Sequence, residues 1–172
     1  MSTAFTRARR VAAVVVFAAS AALPAVALAR DGATDAVVEV AAGPSFTRNN
    51  ELTAVASVSW LPHWRDTAHG ALRFDLGAVY VHGRGQVPGF DLDGNVLVGY
   101  AGTRYERDNG FVFGTGIGLQ AGRTDALSGN PQFVSSIGWR WSRTTLLLRH
   151  ISNASIRQPN DGETMLVLGW RF

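Results

Sequence analysis

Beyond Arg30, apolar and polar residues alternate with period two rather than 3.6, the repeat of strands and not of helices. The alternation predicts eight strands, over roughly residues 36–47, 51–61, 69–81, 94–106, 110–123, 132–142, 144–153 and 163–172. Turn-forming residues punctuate the gaps: Arg48-Asn49-Asn50, Pro62, Pro88-Gly89, Asp108-Asn109-Gly110, Gly129-Asn130-Pro131 and Pro159-Asn160-Asp161-Gly162. In 110–123 one face reads Phe111, Phe113, Thr115, Ile117, Leu119, and the other Val112, Gly114, Gly116, Gly118, Gln120. In 69–81 the large face is Leu72, Phe74, Leu76, Ala78, Tyr80, against Arg73, Asp75, Gly77, Val79, Val81.

A soluble two-layer sandwich would bury the large apolar face and set Lys and Glu in water. This chain has no Lys at all. A small transmembrane barrel reverses the arrangement, with large apolar residues toward lipid and glycine plus a few charges in a narrow lumen. Each run approaches the ~10 residues that a tilted strand needs to cross a bilayer. The fold expected is therefore all-β, an eight-stranded antiparallel transmembrane β-barrel. Arg73, Asp75, Arg140, Arg149 and Glu39 are candidates to pair inside it. Trp60, Tyr80, Tyr100, Trp141 and Trp170 lie near strand ends, as interfacial girdle residues do. The last residue, Phe172, resembles the terminal aromatic of bacterial outer-membrane barrels.

Residues 1–29 read as a secretory signal peptide: Arg7, Arg9 and Arg10, an apolar run from Val11 to Leu23, then Ala27-Leu28-Ala29 as the cleavage site. An uncleaved anchor is the alternative, but the apolar run is short for a bilayer span of about 20 residues. The domain expected is then 30–172. The formal charge of +3 comes from the leader, since without it 13 basic groups face 13 acidic ones. That balance argues against nucleic acid as a partner. Cysteine is absent, which excludes disulfides and thiolate metal sites. His63, His69 and His82 are scattered near turns without metal-ligand spacing, so neither metal nor cofactor is expected.

With the N-terminus in the periplasm, the connections after strands 2, 4 and 6 face the periplasm. Those at Asp108-Asn109 and Arg143 are short, whereas Pro62–Ala68 is longer than the arrangement favours. The outward connections, His82–Asp93, Thr124–Pro131 and Ala154–Gly162, are longer. Strand 7 then runs outward with Leu146, Leu148, His150 and Ser152 on one face. Two leucines toward lipid precede a His-Ser pair on the same side, at the outer rim of the membrane. In a Gram-negative outer membrane that level is the sugar–acyl boundary of lipopolysaccharide.

A serine hydroxyl becomes nucleophilic when a neutral imidazole takes its proton, and a carboxylate on the other ring nitrogen fixes the tautomer. Glu163, at the end of a short loop, is the candidate acid. Parity turns it inward and Thr164 outward, so it reaches His150 only through a bulge or an irregular loop end. Asn153 and Asn160 are candidate oxyanion donors or supporting residues. Asn153 falls on the opposite face, and Asn160 lies in the loop.

The stretch Arg149–Glu163 resembles the C-terminal signature of the outer-membrane lipid A 3-O-deacylase (PagL) family: His-x-Ser-Asn, a Pro-Asn-x-Gly loop, then Glu. The resemblance implies a small barrel with an outward-facing Ser-His-Glu triad that removes the ester-linked chain at the 3-position of lipid A. By it, Ser152 is the nucleophile, His150 the base, Glu163 the orienting acid, and Asn153 and Asn160 support them. The family pattern is also compatible with an acid one place beyond Glu163. Phe133 matches a family aromatic on the preceding strand. The partners implied are lipid A and the surrounding outer-membrane lipids; a homodimer with a second copy of the chain is left open by the sequence.

Two other readings compete: a non-enzymatic barrel acting through its outer loops, and another membrane lipid hydrolase or acyltransferase. A calcium-dependent phospholipase would need an oxygen-ligand cluster beside the serine, and Asp161 alone does not make one.

Overall fold

The computed structural model describes residues 35–48, 51–85 and 87–172. The leader assigned to residues 1–29 lies outside them. Eight strands follow in order: β1 (Ala36–Phe46), β2 (Leu52–Thr67), β3 (Gly70–Val81), β4 (Val96–Arg107), β5 (Phe111–Ala121), β6 (Gln132–Trp141), β7 (Thr144–Ser152) and β8 (Glu163–Arg171). Each pairs antiparallel with its neighbour, and β8 pairs with β1, so the sheet closes into a barrel without edges.

Alternation decides which side chains face out. Leu76, Phe113, Ile117, Ile137, Trp139, Leu148, Leu166 and Leu168 all stand exposed around the outside. An apolar belt on this scale has no stable place in water and matches hydrocarbon instead. Trp60, Trp141 and Trp170 project from it as expected, with Tyr80 half-buried. Tyr100 does not join them; it lies inside, 8% exposed. Its cross-strand neighbours are Gly77 and Gly118, and a Cβ on Gly77 would fall 2.7 Å from the phenol ring. The two glycines open a slot that only an inward ring fills, and the phenol donates to Asp75 Oδ1 at 3.0 Å.

The lumen is built from layers. Toward the short-turn end, buried Arg104 bonds Glu39 at 2.8 Å on one side and Asp75 at 2.8 Å on the other. Below it Glu106 takes Arg171 at 2.9 Å and Arg73 at 3.4 Å. Of the expected pairing residues, Glu39, Asp75, Arg73 and Arg140 do reach opposite charges. Arg149 instead stacks its guanidinium over the Tyr100 ring at 5.3 Å. The half nearer the long loops adds an apolar layer of Val55, Val81, Val96, Val98, Ile151 and Met165.

One end of the barrel carries only tight turns, after β2, β4 and β6. Gly110, at φ +101°, serves the second of them, and a Cβ there would meet the Arg140 carbonyl at 2.7 Å. The longer connection expected at Pro62–Ala68 is absent, because β2 runs on to Thr67 with a bulge between His63 and Arg65. Pro62 is tolerated because it pairs with Ala36, the first residue of β1, so the β1-side ladder ends there and loses nothing further. These three tight turns and the four longer connections give the barrel two unlike ends.

Arg104→Leu should take the shared guanidinium from two buried carboxylates and cost about 3–5 kcal/mol. Urea unfolding of the folded barrel in detergent checks this; an unchanged midpoint would remove Arg104 from its structural role.

Candidate active site

β7 carries Leu146, Leu148, His150 and Ser152 on its outward face, with Leu147, Arg149 and Ile151 buried between them. His150 and Ser152 are half-exposed, at the long-loop end of the apolar belt. Residues two apart on a strand stand about 6.7 Å apart at Cα; the two share one face, and the hydrogen bond His150 makes is to Thr164 and not to Ser152. On the β6 side, Phe133 lies opposite Ser152 and Ser135 opposite His150. On the β8 side, Thr164 lies opposite His150.

The ring's orientation is set from β8. Its Nδ1 makes a hydrogen bond with the Thr164 hydroxyl at 3.0 Å. Its far edge lies against Gly162, where an added Cβ would come 2.7 Å from Cε1 and 3.0 Å from Nε2. Gly162 follows the ladder position next above Thr164, since Ile151 pairs with Glu163. The Nε2 edge is thus turned toward the level of Ser152. Gly162 also holds φ at +70°, so glycine is required there for two independent reasons.

Glu163 is not at the imidazole. Its side chain follows the inward parity and is fully buried in the lumen. Arg84, from the β3–β4 connection, grips both carboxylate oxygens at 2.8 Å. Ser45 of β1 donates to the same carboxylate at 2.5 Å. Turning Glu163 outward would strand the buried Arg84 charge, a loss of about 3–5 kcal/mol. The charge-assisted bond gained at the ring returns only about 1.5–3 kcal/mol. The expected bulge is therefore absent, and the role of ring partner moves from Glu163 to its neighbour. Glu163 ties the start of β8 to β1 and to the β3–β4 connection, and so fixes the backbone that carries Gly162 and Thr164.

Both asparagines shape the loop. Asn153 is buried, and its Nδ2 donates to Ser128 Oγ and to the Arg157 carbonyl, each at 3.0 Å. Its backbone N–H donates to Asn160 Oδ1 at 3.2 Å. These bonds leave Asn153 no amide proton on the Ser152 side, whereas Asn160 retains Nδ2 as a donor. Gly162 N–H donates to the Ala126 carbonyl at 3.0 Å, and Arg157 Nε reaches the Asn130 carbonyl at 3.4 Å. The β5–β6 and β7–β8 connections are thereby docked on one another beside His150 and Ser152.

Sequence reasoning missed Thr164, Arg84, Ser45 and Gly162 as parts of this site. Thr164 did carry a signal: it is the one polar residue on an outward face that continues Leu166, Leu168, Trp170. Among the described residues no cluster of His, Cys, Asp and Glu is arranged to hold a metal ion.

A sequence model of the family described as lipid A 3-O-deacylase (PagL) matches residues 48–172. No curated protein matches the chain. Among solved structures it is similar to one described as the outer membrane enzyme PagL, at 22% identity and TM-score 0.57, covering 78% of this chain and 98% of that one. It is also similar to Neisserial surface protein A, at 12% identity and TM-score 0.49, covering 79% of this chain and 94% of that one.

Gly162→Ala should push the imidazole off its position. Labelling of Ser152 by a fluorophosphonate probe should fall by on the order of tenfold or more, with the folded fraction unchanged. Undiminished labelling would mean that the ring does not depend on Gly162.

Proposed function

The chain belongs to the lipid A 3-O-deacylase (PagL) family, whose members are ester hydrolases, and from that premise we propose the reaction and its residues. The substrate is lipid A in the outer leaflet of a Gram-negative outer membrane, reached after export and cleavage following Ala29. The bond cut is the ester joining a 3-hydroxyacyl chain to the 3-position of the glucosamine. The observation that carries this reading is the pair His150 and Ser152 on the lipid-facing surface, at the end of β7 directly beyond Leu146 and Leu148. With the tight turns toward the periplasm, as barrels of this class prefer, that end of the strand meets the sugar–acyl boundary.

The chemistry follows from the pair. Ser152 Oγ attacks the ester carbonyl while His150 Nε2 takes its proton. The carbonyl oxygen becomes an oxyanion and accepts a hydrogen bond from Asn160 Nδ2; the bond from the Asn153 backbone N–H to Asn160 Oδ1 supports this role. Collapse breaks the bond to the sugar 3-oxygen, and the imidazolium returns the proton to that oxygen. The acyl chain is left on Ser152. A water deprotonated by His150 then attacks the acyl-enzyme and releases the 3-hydroxy fatty acid. Glu163 supports the site as an anchor of β8 through Arg84 and Ser45.

Membrane placement does much of the positioning. Lipid A already lies with its ester bonds at this depth and its chains along the barrel wall. Binding therefore requires lateral diffusion and alignment, and little desolvation of the acyl chain.

Ser152→Ala and His150→Asn should each abolish release of the 3-linked hydroxyacyl chain, by about three orders of magnitude or more, while both variants fold. Mass spectra of lipid A from cells carrying each form check this. Lipid A unchanged by the wild-type protein would end the deacylase reading and return the chain to the non-enzymatic barrels or to hydrolases of other lipids. Asn160→Ala should lower kcat by about 10–100-fold with KM little changed, and a shift in KM alone would assign Asn160 to substrate binding.

A further inference from the structure

We infer that Thr164 is the positioning residue of the dyad, its hydroxyl holding the His150 ring where a triad would use a carboxylate. The inference rests on the reading of Ser152 and His150 as nucleophile and base.

Three observations carry it. The Thr164 hydroxyl lies 3.0 Å from His150 Nδ1, across a register pair of β7 and β8. The backbone on which Thr164 sits is locked from the other side, where Ser45 Oγ also donates to the Thr164 carbonyl at 3.3 Å. The neighbouring acid is committed elsewhere, with both Glu163 oxygens on Arg84.

A hydroxyl facing lipid needs a partner, and the ring nitrogen is the one it has. Threonine can donate or accept, so the hydroxyl alone does not choose the tautomer. Ser152 does. For its O–H to donate to Nε2, Nε2 must carry the lone pair, and the single ring proton then sits on Nδ1. Thr164 Oγ1 accepts that proton. The arrangement places a base at the Ser152 level without any charge on the lipid-facing surface.

The ring's other neighbours agree. β6 presents Phe133 and Ser135, β8 presents Thr164, the connection before it presents Gly162, and β7 presents Leu148 and Ser152. None of these is ionisable at neutral pH. The flanking charges Arg149 and Glu163 lie on the buried faces of their strands. Asp161 precedes Gly162 in the loop and is the remaining acid close in sequence. Thr164 therefore contributes orientation, and the imidazolium formed during acylation is met by a hydroxyl dipole instead of a full negative charge.

The test uses the full barrel folded in detergent micelles, with Thr164→Ser, Thr164→Val, Thr164→Glu and Asp161→Asn. Folding of each is read from its heat-shifted electrophoretic band. Rates are measured on lipid A, and the His150 tautomer from ¹⁵N signals assigned with His150→Asn. Thr164→Ser should stay within about threefold of wild type, and Thr164→Val should lose about 10–100-fold in kcat with KM unchanged. Thr164→Val should also mix the ring tautomers. Thr164→Glu should keep turnover and move the acid limb of the pH–rate profile upward, since a carboxylate favours the charged ring. Asp161→Asn should leave the profile and the ¹⁵N signals in place.

Thr164→Val with wild-type kcat and unaltered ¹⁵N signals would overturn the inference. So would Thr164→Ser as impaired as Thr164→Val, or Asp161→Asn reproducing the valine loss. The ¹⁵N signals respond to Thr164 whether or not lipid A is cleaved. A wild-type barrel inert toward lipid A, with Thr164→Val still disturbing the tautomer, would thus sink the deacylase reading and leave the Thr164 bond standing.

Discussion

A side chain in a closed barrel has two destinations, the lumen or the membrane, and its neighbours along the strand take the other one. No edge or open face offers a third. That alternation dictates the position of every group in the site. It puts His150 and Ser152 on the lipid side with Leu146 and Leu148, and sends Arg149 and Ile151 inward. It also separates Glu163 from Thr164, which adjoin in sequence and serve opposite sides of the wall.

The lumen supplies the rigidity that a site on an exposed surface lacks. Arg104 holds Glu39 and Asp75 from β1 and β3, so three strands share one buried ion cluster. At the long-loop end, Arg84 and Ser45 do the same for Glu163. The outward face that carries His150 and Ser152 makes few contacts of its own, because its natural neighbour is fluid lipid. Its precision is borrowed through the backbone from polar groups on the inner side. The loop beside it is fixed in the same manner, by Asn153 with Ser128 and by Asn160 with the Asn153 amide.

This division also bears on which group can hold the His150 ring. A carboxylate on the outer wall at the acyl boundary would face hydrocarbon, where an unpaired charge is costly. A threonine hydroxyl satisfies Nδ1 there without that cost. The carboxylate one residue away stays in the lumen, where a buried guanidinium repays its desolvation.

The eight strands, their two faces and the His150–Ser152 pair were legible in the chain, because period-two alternation is a local property that each strand carries by itself. The inward parity of Glu163 and the outward parity of Thr164 were legible for the same reason. Partner choice was not. Glu163 meets Ser45 at a separation of 118 residues and Arg84 at 79, contacts that exist only once β8 closes on β1 and Arg84 of the β3–β4 connection is brought to it. The inward turn of Tyr100 depends on two glycines from flanking strands, and the passage of β2 through Pro62 depends on where β1 begins. Sequence by itself determined which side of the wall each residue occupies, since that follows from counting along one strand. Only the closed tertiary structure decided which groups on a given side meet, since that is set by register and shear between strands far apart in the chain.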